Sequence, residues 1–218
     1  MPRTNINYSF RKEQLMKLAL EQFISKGYEA TTITDLQKTF GLTKGGMYHY
    51  FATKEEILDA VIEYGIGTGI DELVSELENT TLEKKITGFF FYGAESQFTK
   101  DLYKHSRSND SSIVAYKLRE KTIKLMIPVL KQIIREYVEK GIYTTDYPDE
   151  ISEFAVVLAM AISDRNILPQ ADNINSKARV DALLDLWNKY LEPPEEHINE
   201  LRVNLYKLNG CTSEEKTE

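Results

Sequence analysis

The chain holds a single cysteine, Cys211, among 218 residues, which excludes an intrachain disulfide framework and a cysteine-rich zinc site. Its three histidines, His49, His105 and His197, are scattered, and none stands three or four residues from another, so no metal site is expected and no cofactor is implied. Long apolar runs are missing as well. Nothing approaches the roughly 18 to 20 residues of a membrane span, and the opening residues MPRTNINYSFRKEQ lack the apolar stretch of a signal peptide, so a cytoplasmic protein is expected. Catalytic constellations are absent too: there is no Glu-x-x-His pair, no glycine-rich phosphate loop and no nucleophile with a base nearby. Gly65, Gly67 and Gly69 have neither the spacing nor the preceding strand of a dinucleotide fingerprint. An enzyme is therefore not expected.

What is present is enough apolar residue, 42%, for a substantial core, with a net charge of −7 that is unevenly spread. Through residue 54, eight lysines and arginines face four acids; over 55–218, nineteen face thirty. A basic head on an acidic body fits a protein of which only the head meets phosphate.

Apolar residues recur at helical spacing nearly throughout and no alternating stretch competes, so the fold is read as all-α, with about nine or ten helices. A first helix is expected from Ser9, as N-cap, to Lys26, with Leu15, Leu18, Ala19 and Phe23 inward and Gly27 ending it. A second starts at Thr34 as N-cap and stops at Gly41. The turn LTK leads to a third short helix, GGMYHYF, and two short helices across such a turn make a helix-turn-helix. Thr53 with Glu56 forms a capping-box pattern opening a helix from Lys54 to Leu77, which is soft or interrupted at its glycines, or packed closely there. Further helices are expected over 81–98, 113–140, 149–166, 176–191 and 196–208, with Pro128 kinking the one that Gly141 ends. The organisation is thus a helix-turn-helix domain at 1–53, a larger helical domain at 54–208, to which the family resemblance given next assigns ligand binding and dimerisation, and a disordered tail at 209–218.

Residues 41–58, GLTKGGMYHYFATKEEIL, with ALEQFISKGYEATTITDLQKTFG ahead of them, resemble the tetracycline-repressor (TetR) family of bacterial regulators. The family shows a glycine-turn, a small residue, an aromatic cluster and then a lysine opening the next helix. The resemblance implies that Tyr48 and Lys54 contact phosphate and that Thr43, Lys44, Gly45 and His49 lie near bases of double-stranded operator DNA. Glycines at Gly45 and Gly46 let the backbone approach the duplex, and the helix starting near Ile33 offers its amides and the Thr32 and Thr34 hydroxyls to phosphate. Lys44 is the first choice for base readout. Tyr48 and Phe51 share a face by their three-residue spacing, and Phe51 is expected in the core.

In the body, an apolar pocket for an unidentified small-molecule effector could be lined by Phe90, Tyr92, Glu95 and Phe98, with Tyr103, Tyr116, Arg119, Ile123 and Met126, although ordinary core packing accounts for each of these singly. The resemblance places a homodimer interface on the last two long helices, with Phe154, Leu158, Ile162, Leu183, Leu184 and Trp187 as candidates; intrachain core is the alternative. It also implies a repressor that a ligand releases from DNA. A regulator-like adaptor that has lost DNA binding is the competing reading, since the total charge is acidic.

Overall fold

In the computed structural model, which describes residues 3–95, 112–163, 167 and 176–211, the chain is all-helical. Among these residues nine helices follow one another: α1 (Arg3–Lys26), α2 (Ile33–Phe40), α3 (Lys44–Tyr48), α4 (Lys54–Glu78), α5 (Leu82–Glu95), α6 (Ser112–Glu139), α7 (Pro148–Ser163), α8 (Ser176–Leu191) and α9 (Glu195–Leu208). None is long and apolar enough to cross a membrane, and no cluster of three metal-ligating side chains occurs among the described residues.

The helix stops follow from glycine. Gly27, Gly41 and Gly141 take φ values of 85°, 63° and 67°, a left-handed conformation in which a Cβ would crowd the backbone carbonyl and which lets the preceding carbonyls be capped. At Gly141 the amide bonds to Val138 O at 3.0 Å and that of Ile142 reaches Tyr137 O at 2.8 Å, closing the end of α6. The starts are less regular. Ser9 lies inside α1, which begins six residues earlier at Arg3, so it is not the N-cap. Thr32 rather than Thr34 is the N-cap of α2, its hydroxyl accepting from Asp35 N while the Asp35 carboxylate accepts from Thr32 N. That box fixes the start two residues earlier. At α4 the expected box forms in a shifted version, with Glu56 N donating to Thr53 Oγ1 at 3.0 Å and Ala52 N to Glu56 Oε2 at 2.6 Å.

The described residues fall into two compact units. The first holds α1 to α3, α4 through Thr68 and α6 through Thr122; the second holds the rest of α4 and α6 with α5 and α7 to α9. The division therefore runs within α4 and not at the expected 53/54 boundary, because Ile57, Leu58, Val61 and Ile62 are all buried in the first unit. Gly65, Gly67 and Gly69 do not interrupt α4. A Cβ added at Gly67 would meet nothing within 4 Å, so close packing is not what that glycine provides.

In the second unit, α5 packs on α9, and α8 packs on both α7 and α9. Its core joins Ile86, Phe89 and Phe90 of α5 to Ile134 and Tyr137 of α6 and to Leu184, Trp187 and Leu201. Pro128 lies inside α6, where it withdraws one amide from the helical ladder. After α9, Asn209 caps the helix and Cys211 N bonds to Tyr206 O at 2.9 Å, so these first residues of the expected tail are ordered by capping; 212–218 lie outside the described residues.

Candidate nucleic-acid interface

α2 and α3 are joined by Gly41, Leu42 and Thr43, and each is held from below by apolar side chains: Leu36 and Phe40 under α2, Met47 under α3, Phe51 just after it. Thr43 is the N-cap of α3, accepting from Gly46 N at 3.2 Å. With Met47 and Phe51 fully buried, the opposite side of α3 is left to solvent: Thr43, Lys44, Gly45, Tyr48 and His49 are all exposed. Five of the residues expected to approach DNA thus share one surface. Gly45 has open space where a Cβ would be, whereas a Cβ at Gly46 would sit 3.3 Å from the Thr43 hydroxyl, so Gly46 serves the cap and Gly45 the surface.

Tyr48 and Phe51 do not share a face. α3 ends at Tyr48, and the following turn sends Phe51 inward while Tyr48 stays 48% exposed. The helical spacing rule fails here because the helix stops.

Two expected phosphate contacts are otherwise engaged. The Lys54 ammonium lies 2.9 Å from Tyr28 O, 3.0 Å from Thr31 O and 3.5 Å from Glu29 O, and 4.1 Å from the centre of the Tyr28 ring. An ammonium has three donors, and these three carbonyls take them, so Lys54 ties the α1–α2 connection to the start of α4. The Thr32 hydroxyl is committed to Asp35, whose carboxylate also pairs with Lys26 at 2.6 Å. The Lys26 ammonium, then the Thr32 amide and hydroxyl, hold that carboxyl well below the usual range. A negative charge therefore already sits at the positive end of α2, which disfavours phosphate there. Thr34 is exposed on the first turn of α2.

α1 ties these parts together. Arg11 donates to Phe40 O at 3.3 Å, Lys12 stands 5.3 Å above the Phe51 ring, and Tyr64 of α4 donates to Glu13 at 2.9 Å. None of these long-range partners has a sequence motif. The only available signal was helical spacing along α1.

The candidate effector residues divide. Phe90 is buried and meets Trp187 edge-on at 5.3 Å; Ile123 and Met126 lie partly buried against the second unit's core. Tyr116 and Arg119 belong to the first unit, Tyr116 being 60% exposed. The side chains of Tyr92 and Glu95, and the whole of Phe98 and Tyr103, lie outside the described residues. Of the interface candidates, Leu183, Leu184 and Trp187 are buried in the chain's own core and cannot face a partner. Phe154 and Leu158 are exposed and Ile162 is partly so; α8 instead exposes Leu186 and Tyr190.

Residues 15–61 match the family model for bacterial regulatory proteins of the tetR family. An HTH-type transcriptional regulator of Bacillus subtilis, YfiR, is 30% identical over 79 residues, 36% of this chain and 38% of that protein. The HTH-type transcriptional repressor KstR2 of Mycolicibacterium smegmatis is 28% identical over 96 residues, 44% of this chain and 47% of its own length. The chain thus spans less than half the length of these curated relatives. Across most of the chain the fold is similar to that of solved structures. RolR is 14% identical with a TM-score of 0.58, covering 88% of this chain and 95% of its own. Bacillus subtilis FadR in complex with stearoyl-CoA is 16% identical with a TM-score of 0.55, covering 92% and 98%. Residues 15–61 are thus similar to the tetR family of bacterial regulatory proteins, and the rest of the chain is similar to the solved structures in fold alone.

Proposed function

We propose that this chain is a cytoplasmic transcriptional repressor that binds a palindromic operator as a homodimer and is released by a small apolar or aromatic ligand held in its second unit. The observation that carries the DNA-binding part is the exposed surface of α3. Lys44 reads bases, Gly45 lets the backbone close on the groove, Tyr48 holds phosphate and His49 reaches a base edge from the end of the helix. Thr43 and Gly46 support that surface through the cap, Thr34 remains a phosphate contact, and Lys54 acts by fixing the unit.

The dimer face is assigned to Phe154, Val157, Leu158 and Ile162 of α7 with Leu186 and Tyr190 of α8, apolar groups left largely to solvent in the single chain. For the effector, Phe90, Ile123 and Met126 supply apolar contact. Thr87 Oγ1 and Trp187 Nε1, both buried without a hydrogen-bond partner, offer two polar positions. A protein of the same fold, FadR, carries stearoyl-CoA, which is in keeping with an apolar effector. To take occupancy from 99% to 1%, the effector must favour the non-binding shape by about 5.5 kcal/mol over the dimer.

Gly45→Ala tests the central element. The free protein has room for the methyl, and alanine favours helix over glycine by up to about 1 kcal/mol, so the variant folds at least as well as the parent. Its affinity for a duplex that the parent enriches from a randomised library falls at least tenfold, because the methyl faces the groove. Unchanged affinity would remove α3 from the interface. An adaptor that has lost DNA binding enriches no duplex and shows no salt-dependent slope.

A further inference from the structure

α1 begins well before its apolar pattern requires, and Tyr8 lies in that early part. Its ring stacks on that of Tyr50, centroids 5.0 Å apart and planes 16° from parallel. The same ring meets His49 edge-on, at 5.5 Å and 87°, and His49 meets Tyr50 at 5.2 Å and 80°. The three rings form one closed group. The Tyr8 hydroxyl reaches His49 O at 3.5 Å, a long contact that adds little beside the stacking.

This group sits where α3 is weakest. α3 has five residues, too few to hold a helix by its own hydrogen bonds, and His49 is the residue that ends it. Met47 and Phe51 anchor the element into the core, yet neither fixes the exposed imidazole that follows the last turn. Tyr8 does so from the other side. One turn further along α1, Arg11 holds Phe40 O at the exit of α2. The first turns of α1 therefore grip the exits of both short helices.

We infer that Tyr8 is a positioning residue for base reading, its ring locking the His49–Tyr50 turn so that the imidazole is presented to DNA in one orientation. This rests on the reading of α3 as the helix that faces DNA. Tyr8 needs no DNA contact of its own, so its loss lowers discrimination between sequences and leaves the general attraction to phosphate intact. The ring is what matters: phenylalanine keeps the stack, while leucine keeps apolar bulk and removes the flat face.

The experiment uses the full chain as wild type, Tyr8→Phe, Tyr8→Leu, His49→Ala and the Tyr8→Leu/His49→Ala double variant. Each is titrated by fluorescence anisotropy against the duplex that the wild type enriches from a randomised library and against a scrambled duplex of equal length. Tyr8→Leu is expected to bind the enriched duplex about tenfold more weakly, with scrambled-duplex binding unchanged and Tyr8→Phe within about twofold of wild type. In the His49→Ala background Tyr8→Leu should cost little more, because its effect passes through His49. Wild-type affinity in Tyr8→Leu, equal losses on both duplexes, or additive losses in the double variant would each overturn the inference. If the wild type enriches no sequence, the DNA-binding reading falls and this one falls with it; if enrichment occurs and the Tyr8 variants behave as wild type, only this one falls.

Discussion

Lys54 is the residue whose role the three-dimensional arrangement changes most. Motif resemblance assigns its charge to phosphate, but its ammonium is surrounded by the carbonyls of Tyr28, Glu29 and Thr31. Removing it leaves those acceptors short of a charged donor, and hydrogen bonds to charged groups contribute about 1.5–3 kcal/mol. Because Lys54 is only half-buried, water replaces part of that. Lys54→Ala should therefore lower unfolding stability by about 1–2 kcal/mol in urea denaturation, at the conservative end of that range. A variant with unchanged stability would return Lys54 to the phosphate contacts. Asp35 gives a pH signature. Its carboxyl titrates far lower in the folded chain than the ordinary value near 4, chiefly through the Lys26 ammonium and the Thr32 donors. A depressed carboxyl contributes stability that is complete above the unfolded pKa and is lost as pH falls through the folded one. Hence the stability gap between wild type and Asp35→Asn should be constant from pH 5 to 8 and shrink on acidification below about pH 4. A gap that is widest in acid would contradict this.

Among the elements, α4 and α6 show an arrangement within the first unit that no motif announces. Glu55, Asp59 and Glu63 recur every fourth residue on α4, and Lys117 and Lys121 do the same on α6. Lys117 bridges Glu55 at 2.9 Å and Asp59 at 2.6 Å, and Lys121 reaches Glu63 at 3.1 Å. The Asp59 contact leads in raising the Lys117 pKa. The acids are half exposed, so each pair contributes no more than about 1 kcal/mol. A double-mutant cycle on Asp59→Asn and Lys117→Met should give a coupling of about 0.5–1 kcal/mol at low salt that fades toward zero near 1 M NaCl. A salt-independent coupling would mean packing and not charge. In sequence, these charges read as ordinary solvated helix faces, since spacing shows that residues share a side but not which helix lies opposite. The same limit separates what was readable from what was not elsewhere. Gly41 and the Thr53–Glu56 pair fix helix ends by local bonds and were legible. The role of Tyr8 in α1 depends on partners as distant as His49 and Tyr50 and was not.

At the scale of the whole molecule, the proposed homodimer needs an apolar face that a second copy would cover. α8 is apolar on two sides, and of the candidates that the family resemblance suggested there, Leu183, Leu184 and Trp187 follow the alternative of intrachain core and close the second unit's own core. Leu186 and Tyr190 occupy the other side at 47% and 50% exposure, and on α7, packed beside it, Phe154, Val157 and Leu158 are 63%, 44% and 39% exposed. Several large apolar side chains exposed on two neighbouring helices are uncommon in a monomer, and a two-fold axis would bury them against their own copies. The double variant Leu158→Glu/Leu186→Glu should therefore keep its helical circular dichroism and melting behaviour per chain, yet run as a monomer in light scattering. Its affinity for the palindromic duplex should drop by about 10²–10⁴, the benefit of linking two reading heads. Leu184→Ala makes the contrast. It lies at 0% exposure, so it should cost about 2–5 kcal/mol of stability by leaving a cavity. Its folded fraction should still assemble as wild type does. A dimer that survives the paired glutamates would move the interface to another face, and with it the spacing of the two α3 helices on which operator half-sites depend.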